Sequence, residues 1–128
     1  MNDRFKFRVF DKEKQKMMYE NSDFSDYCKD EWWGYEEQMA LAALYVFDNP
    51  EHYILMQSTG LKDKNGKLIY EGDIVKDINI PSYFYIVVWF KGGFYLKSTI
   101  SNSFLVFDTT QQEVIGNIYE NKELLNEN

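Results

Sequence analysis

Two glycine-bearing turns, Asn65-Gly66 and Gly92-Gly93, each stand between short runs of β-branched and aromatic residues. Asn-Gly suits the hairpin turn whose two central residues both need positive φ, so residues 62–67 are predicted to reverse the chain. Gly92-Gly93 is a second signal of the same kind, leading into Phe94-Tyr95-Leu96. Before it lies YFYIVVWF, residues 83–90, whose length and β-branched and aromatic content fit a strand buried on both faces. Strands joined by such short connections pair antiparallel, because a parallel pair needs a long crossover.

The rest of the chain extends this pattern. In residues 4–10, RFKFRVF, the apolar Phe5, Phe7 and Val9 alternate with Lys6 and Arg8, the period of a half-buried strand. A charged turn over 11–15 and a return through Met17 and Met18 complete an opening hairpin. Residues 36–44, EEQMALAAL, are the best helix formers present, with Glu36 and Glu37 placed where the helix dipole favours anions. They form either a short helix ending near Leu44 or a strand from about Ala43. Tyr45-Val46-Phe47 is extended, Asp48-Asn49-Pro50-Glu51 is a turn, and residues 52–57 are a strand. Further short strands follow at 68–70, 73–75, 104–107 and 113–119, with a loop carrying Pro81 over 78–82. Leu124 and Leu125 dock from a polar tail. The expected fold is mainly β, a small antiparallel barrel or strongly bent sheet with at most one or two short helices.

A length of 128 residues fits one domain over 1–128, with residues 20–44 as a variable insertion or arm. The formal charge of −7 disfavours nucleic acid as a partner, because that binding draws on Lys and Arg at phosphates. Cys28 is the single cysteine, so no internal disulfide can form and a reducing compartment is expected. The first residues lack the apolar stretch of a secretory signal, and no run approaches the ~18 apolar residues of a membrane helix. A cytoplasmic location in a bacterial host, away from the membrane, is the expectation.

Candidate chemistry is sparse. Asp63-Lys64-Asn65-Gly66 has the middle of a calcium loop, but the register puts Leu61 and Gly72 where the anchoring carboxylates belong. Glu71 and Asp73, with Asp77 nearby, could hold magnesium or divide acid and base roles if they shared a strand face. The simpler account is a turn, Glu71-Gly72-Asp73, whose aspartate bonds local amides. His52, the only histidine, reads as a solvated edge residue, and with Cys28 it falls short of a zinc ligand set. Trp89 belongs to the apolar run and is expected in the core. Trp32-Trp33 sits among polar residues and cannot point wholly inward, which suggests a contact patch. Arg4, Lys6 and Arg8 share the outer face of the first strand. No catalytic, cofactor-binding or metal-binding residue is expected.

Four blocks carry a family resemblance: RFKFRVFDKEKQKMMY, LMQSTGLKDKNGKLIYEGDIVK, VVWFKGGFYL and EVIGNIYENKELL. In this order they resemble the YopX-like proteins encoded by bacterial phages and prophages. The signature turn comprises Asn65, Gly66, Glu71, Gly72 and Asp73; residues 20–44 lie outside the resemblance. It implies a small, mostly β accessory protein with a barrel-like core and offers no catalytic residue to carry over. The functional expectation is a non-enzymatic interaction or assembly module whose partner is itself or a host or phage protein. Trp32, Trp33, Arg4, Lys6 and Arg8 are the candidate surface. Nucleic-acid binding by a small-barrel face, or a metal-dependent enzyme using Glu71 and Asp73, are the alternatives.

Overall fold

A computed structural model describes residues 6–19, 48–101, 103–105, 107 and 111–125. The helix or strand expected over 36–44, the extended Tyr45-Val46-Phe47, the arm over 20–44 and Cys28 lie outside the described residues. The described chain is mainly β, as the sequence predicts, and its strand pairs are antiparallel. It divides into two compact units, Phe7–Met56 on one side and Gln57–Asn128 with Met1–Lys6 on the other.

In the smaller unit β1 (Phe7–Asp11) pairs with β2 (Lys16–Tyr19) in the register Arg8↔Tyr19 to Asp11↔Lys16. The Asp11 carboxylate closes the turn by accepting the Glu13 and Lys14 N–H groups, both at 3.0 Å. This is the opening hairpin that the alternation predicts, with one correction. Arg8, Val9, Phe10 and Asp11 are all buried, so β1 is covered on both faces rather than one. Arg8, read from sequence as a solvent-facing cation, is only 1% exposed. Its guanidinium lies 5.9 Å from the Tyr19 ring centroid, and Nη1 donates to the Tyr19 hydroxyl at 3.4 Å. A weakly hydrated, delocalised cation is the charged group best suited to such packing against an aromatic ring. Alternation cannot reveal this, because the period of two says which residues share a face and not whether that face stays wet.

The larger unit contains a five-stranded sheet in the order β8-β7-β6-β5-β9. Its strands are β5 (Asp73–Asp77), β6 (Ile80–Phe90), β7 (Gly93–Ser98), β8 (Phe104–Leu105) and β9 (Gln112–Asn117). Here too lies the latter part of β3 (Tyr53–Lys62), which pairs with β4 (Leu68–Tyr70) through Ser58↔Tyr70 and Lys62↔Leu68, with a register shift between them. The core is Ile69, Val75, Tyr85, Val87, Leu96 and Val114, with Phe94 and Phe107 against it. Burying a side chain such as Leu96 or Val87 contributes about 1.5–3 kcal/mol. Residues 122–125 form a 3-10 turn in which Leu124 and Leu125 are half-buried.

Three local expectations change. The strand read over 83–90 begins at Ile80 and takes in Pro81 and Ser82, which the sequence placed in a loop. Its burial is incomplete: Tyr85 and Val87 are buried, Phe84, Ile86 and Val88 on the other face are half-buried, and Trp89, expected in the core, is 54% exposed at the strand's end. The turn at Asn65-Gly66 is a type I turn followed by a left-handed glycine: Gly66 has φ +82°, and Asn65 is not among the positive-φ residues. The second hairpin is centred one residue earlier than its sequence signal, on Lys91 (φ 47°) and Gly92 (φ 82°), with Phe90 opposite Gly93. These two positive φ values make it the two-residue turn expected instead at Asn65-Gly66.

Candidate functional site

The signature stretch is occupied by its own backbone. Asp63 is 6% exposed. Its Oδ1 accepts the Asn65 and Lys67 N–H groups at 2.9 Å, and its Oδ2 accepts the Val114 N–H at 2.9 Å. One carboxylate thus ties the β3–β4 turn to β9, and the Gln112 carbonyl adds a second tie by accepting the Lys64 N–H at 2.9 Å. Asp73 is 1% exposed, and its Oδ2 accepts the Tyr70 N–H at 2.8 Å. This is the local turn bond that the sequence offers as the simpler account of Glu71-Gly72-Asp73. Glu71 lies in the turn, outside β4 and β5, and its N–H donates to the Gln57 carbonyl at 3.0 Å. Gly72 bonds outward on both sides, donating to Val87 and accepting from Ile118. The Asp77 carboxylate accepts the Asn79 N–H at 2.8 Å. Among the described residues, no three His, Cys, Asp or Glu side chains gather where they could hold a metal ion.

The five-stranded sheet has two unlike faces. Cross-strand partners in an antiparallel pair share a face, and so do alternate residues along a strand. The pairs Tyr85↔Ser98, Val87↔Leu96 and Trp89↔Phe94 therefore define the core face. Ile86↔Lys97, Val88↔Tyr95 and, through Lys97, Phe104 define the opposite face. At its β5 end this opposite face is closed, since Ile74, opposite Ile86, is 0% exposed. At its β8 end it is open: Phe90 and Phe104 are 42% and 40% exposed. Their rings stack with centroids 4.9 Å apart and planes 14° from parallel, and Tyr95 meets Phe104 edge-on at 6.4 Å. Lys91 places Nζ 5.3 Å from the Phe90 centroid, and exposed Lys97 lies opposite Phe104.

The core face ends in a hollow of 390 Å³. Its floor is the cross-strand pair Tyr85 and Ser98, which are 5% and 8% exposed. Tyr83, two residues before Tyr85, forms one wall; Ile100, Ser101, Ser103 and Leu105 form the other. Ser98, Ile100, Ser101 and Ser103 bond to one another. Ser98 N–H donates to the Ser103 carbonyl at 3.0 Å, Ile100 N–H to Ser98 Oγ at 3.2 Å, and Ser103 N–H to Ser101 Oγ at 3.3 Å. Burial holds the Tyr85 phenol above the usual tyrosine range, and the nearby Asp77 and Tyr83 push the same way. Sequence reasoning did not single out this loop. Its signal was the Ser98-Thr99 and Ser101-Asn102-Ser103 residues on either side of Ile100, a composition that turns use to bond their own backbone.

Of the surface expected from sequence, Arg8 is buried and Lys6 is half-buried, its carbonyl accepting the Ser58 N–H at 2.9 Å. Arg4, Trp32 and Trp33 lie outside the described residues. His52 is exposed in the turn before β3, with Nε2 3.9 Å from Glu51, as a solvated residue would be. Exposed aromatics are present, but on β6 and β8.

Short hairpins, a five-stranded antiparallel sheet and turns closed by buried aspartates define a small mainly β protein. The family model of the YopX protein matches residues 6–126. The chain belongs to the YopX family. It is also similar to a solved structure, the crystal structure of protein EF1440 from Enterococcus faecalis, with 27% sequence identity and a TM-score of 0.59. That likeness covers 94% of this chain and 96% of the other. No match is found among curated proteins.

Proposed function

We propose that this is a phage- or prophage-encoded interaction module, non-enzymatic, cytoplasmic, and assembling with further copies of itself. The observation that carries the proposal is the open end of the sheet's second face, where Phe90 and Phe104 stack in view of solvent. Rigid aromatic side chains supply large contact area at low entropic cost, which is why they concentrate at interfaces. The adjoining edge supports the same reading. β8 pairs with β7 only at Leu96 and Lys97, so among the described residues most of β7 has a strand on one side only. Self-association is a common way to cover such an edge.

Light scattering after size exclusion tests this at micromolar concentration. The expected result is a defined oligomer that the double variant Phe90→Ser and Phe104→Ser reduces to monomer. A monodisperse wild-type monomer would overturn self-assembly. A second reading, single-stranded nucleic acid on the same rings, draws support from Lys91 and Lys97 beside them. These replace the Arg4, Lys6 and Arg8 stripe, since Arg8 is buried. The net charge of −7 weighs against it. Absence of retention of labelled single-stranded DNA at low salt would dispose of that reading.

A further inference from the structure

We propose that Asn65 is a site of spontaneous deamidation, and that its conversion to aspartate or isoaspartate loosens the β3–β4 turn from β9. The proposal is separate from self-assembly, because neither Phe90 nor Phe104 belongs to this turn.

The reaction needs only the chain and water. The Gly66 backbone nitrogen gives up its proton to solvent base and bonds to the side-chain carbonyl carbon of Asn65. The bond from that carbon to Nδ2 breaks, and Nδ2 takes up a proton and leaves as ammonia. Water then opens the five-membered imide at either of its carbonyls. One opening leaves aspartate at position 65. The other routes the backbone through the side-chain carbons, as isoaspartate.

A second turn of the larger unit supplies the comparison that singles out Asn65. The Asn65 N–H donates to Asp63 Oδ1 at 2.9 Å, and the Asn79 N–H donates to Asp77 Oδ1 at 2.8 Å. Each side-chain amide also donates to a side-chain oxygen at or just before β9: Asn65 to Glu113 Oε1 at 3.3 Å, Asn79 to Gln111 Oε1 at 3.1 Å. Both asparagines are exposed. The residue that follows is what differs. Ile80 sets a β-branched side chain beside the nitrogen that must attack. Gly66 has no side chain, and even an added Cβ would meet nothing within 4 Å, so nothing crowds the approach. Asn65 is the one asparagine of the chain followed by glycine. Asn49 precedes Pro50, whose nitrogen has no proton to lose.

The fold also applies a brake. The Gly66 N–H donates to the Asp63 carbonyl at 3.0 Å, and this bond must open before the nitrogen attacks. A neutral bond of this kind slows the attack by about two- to tenfold relative to an open chain.

The products act on the junction with β9. Glu113 holds the Asn65 amide with one oxygen and has the other 3.8 Å from Lys76 Nζ. Aspartate at 65 replaces that amide donor with a second carboxylate, and like charges at such range repel. Lys76 offsets only part of this, being partly exposed and screened. Isoaspartate adds a backbone carbon between Asp63 and Lys67, which displaces the Gly66 and Lys67 N–H groups that Asp63 accepts.

The experiment holds the full chain in mildly alkaline buffer, with and without urea, and follows it by peptide mapping that separates aspartate from isoaspartate. In the folded chain Asn65 should convert to both products while Asn79 stays intact. In urea, conversion at 65 should run about two- to tenfold faster. Asn79 converting as fast as Asn65, or Asn65 staying intact while the urea sample converts, would overturn the site. Asn65→Asp should lower Tm by about 2–4 °C, and adding Glu113→Gln should remove most of that loss. An equal loss in both backgrounds would overturn the coupling to β9.

Discussion

The turns at 63–67 and 90–93 carry similar sequence signals and are held together differently. Around Gly66 a buried carboxylate collects three backbone N–H groups, one of them from β9. Around Gly92 the chain reverses on the conformation of Lys91 and Gly92 and on the pairing of β6 with β7. One turn is a junction between distant parts of a unit, and the other is a local reversal. The difference locates the structural weight of the signature stretch in Asp63 rather than in its Asn-Gly pair.

The largest effect should come from Asp63→Ala. Removing the carboxylate leaves the buried Val114 N–H without its acceptor and frees two turn amides. Bonds to charged groups contribute about 1.5–3 kcal/mol each, so a loss of about 3–5 kcal/mol in urea unfolding is expected. A loss under about 1 kcal/mol would place this turn with the other one. The paired variants Gly66→Ala and Gly92→Ala sharpen the contrast. Both glycines have φ +82° and open space where a Cβ would stand. Each should lose about 1–2 kcal/mol, the cost of left-handed backbone for a residue with a Cβ. Similar losses would show that glycine conformation does not distinguish the turns. The smallest effect should be a gain: Lys91→Asn puts a residue tolerant of positive φ where Lys91 has φ 47°, and about 0.5 kcal/mol of added stability is expected by thermal unfolding.

Much of this was legible in the sequence, and the exceptions share a cause. The hairpins β1–β2, β3–β4 and β6–β7 follow from local alternation and turn residues, and the structure has all three. What one segment could not reveal was what lies across from it. Arg8 alternates as an exposed residue would, yet it is buried beside Tyr19. Trp89 stands in an apolar run and on the core face, but it lies past the last buried pair, Val87 and Leu96; its partner Phe94 packs against the core and meets it edge-on at 4.8 Å, leaving Trp89 exposed. Asp63 reads as a turn residue, and its bond to Val114 lies 51 residues away in the chain. The aromatic face needed the register of β6, β7 and β8 to be seen. The hollow needed the fold of the 98–103 loop, which composition marks only as a turn.

The Asp63–Val114 bond also bears on the order in which the larger unit assembles. Hairpins such as β6–β7 close over a few residues and are entropically cheap, whereas contacts far apart in sequence form against a greater loop-closure cost. The Asn65 and Lys67 amides can engage Asp63 as soon as the local turn exists. Its second oxygen finds its partner only when β9 arrives beside β5. The expected order has the same side chain acting twice, first in the local turn and last as a latch, and in stopped-flow unfolding the loss of the latching half should appear in the unfolding rate.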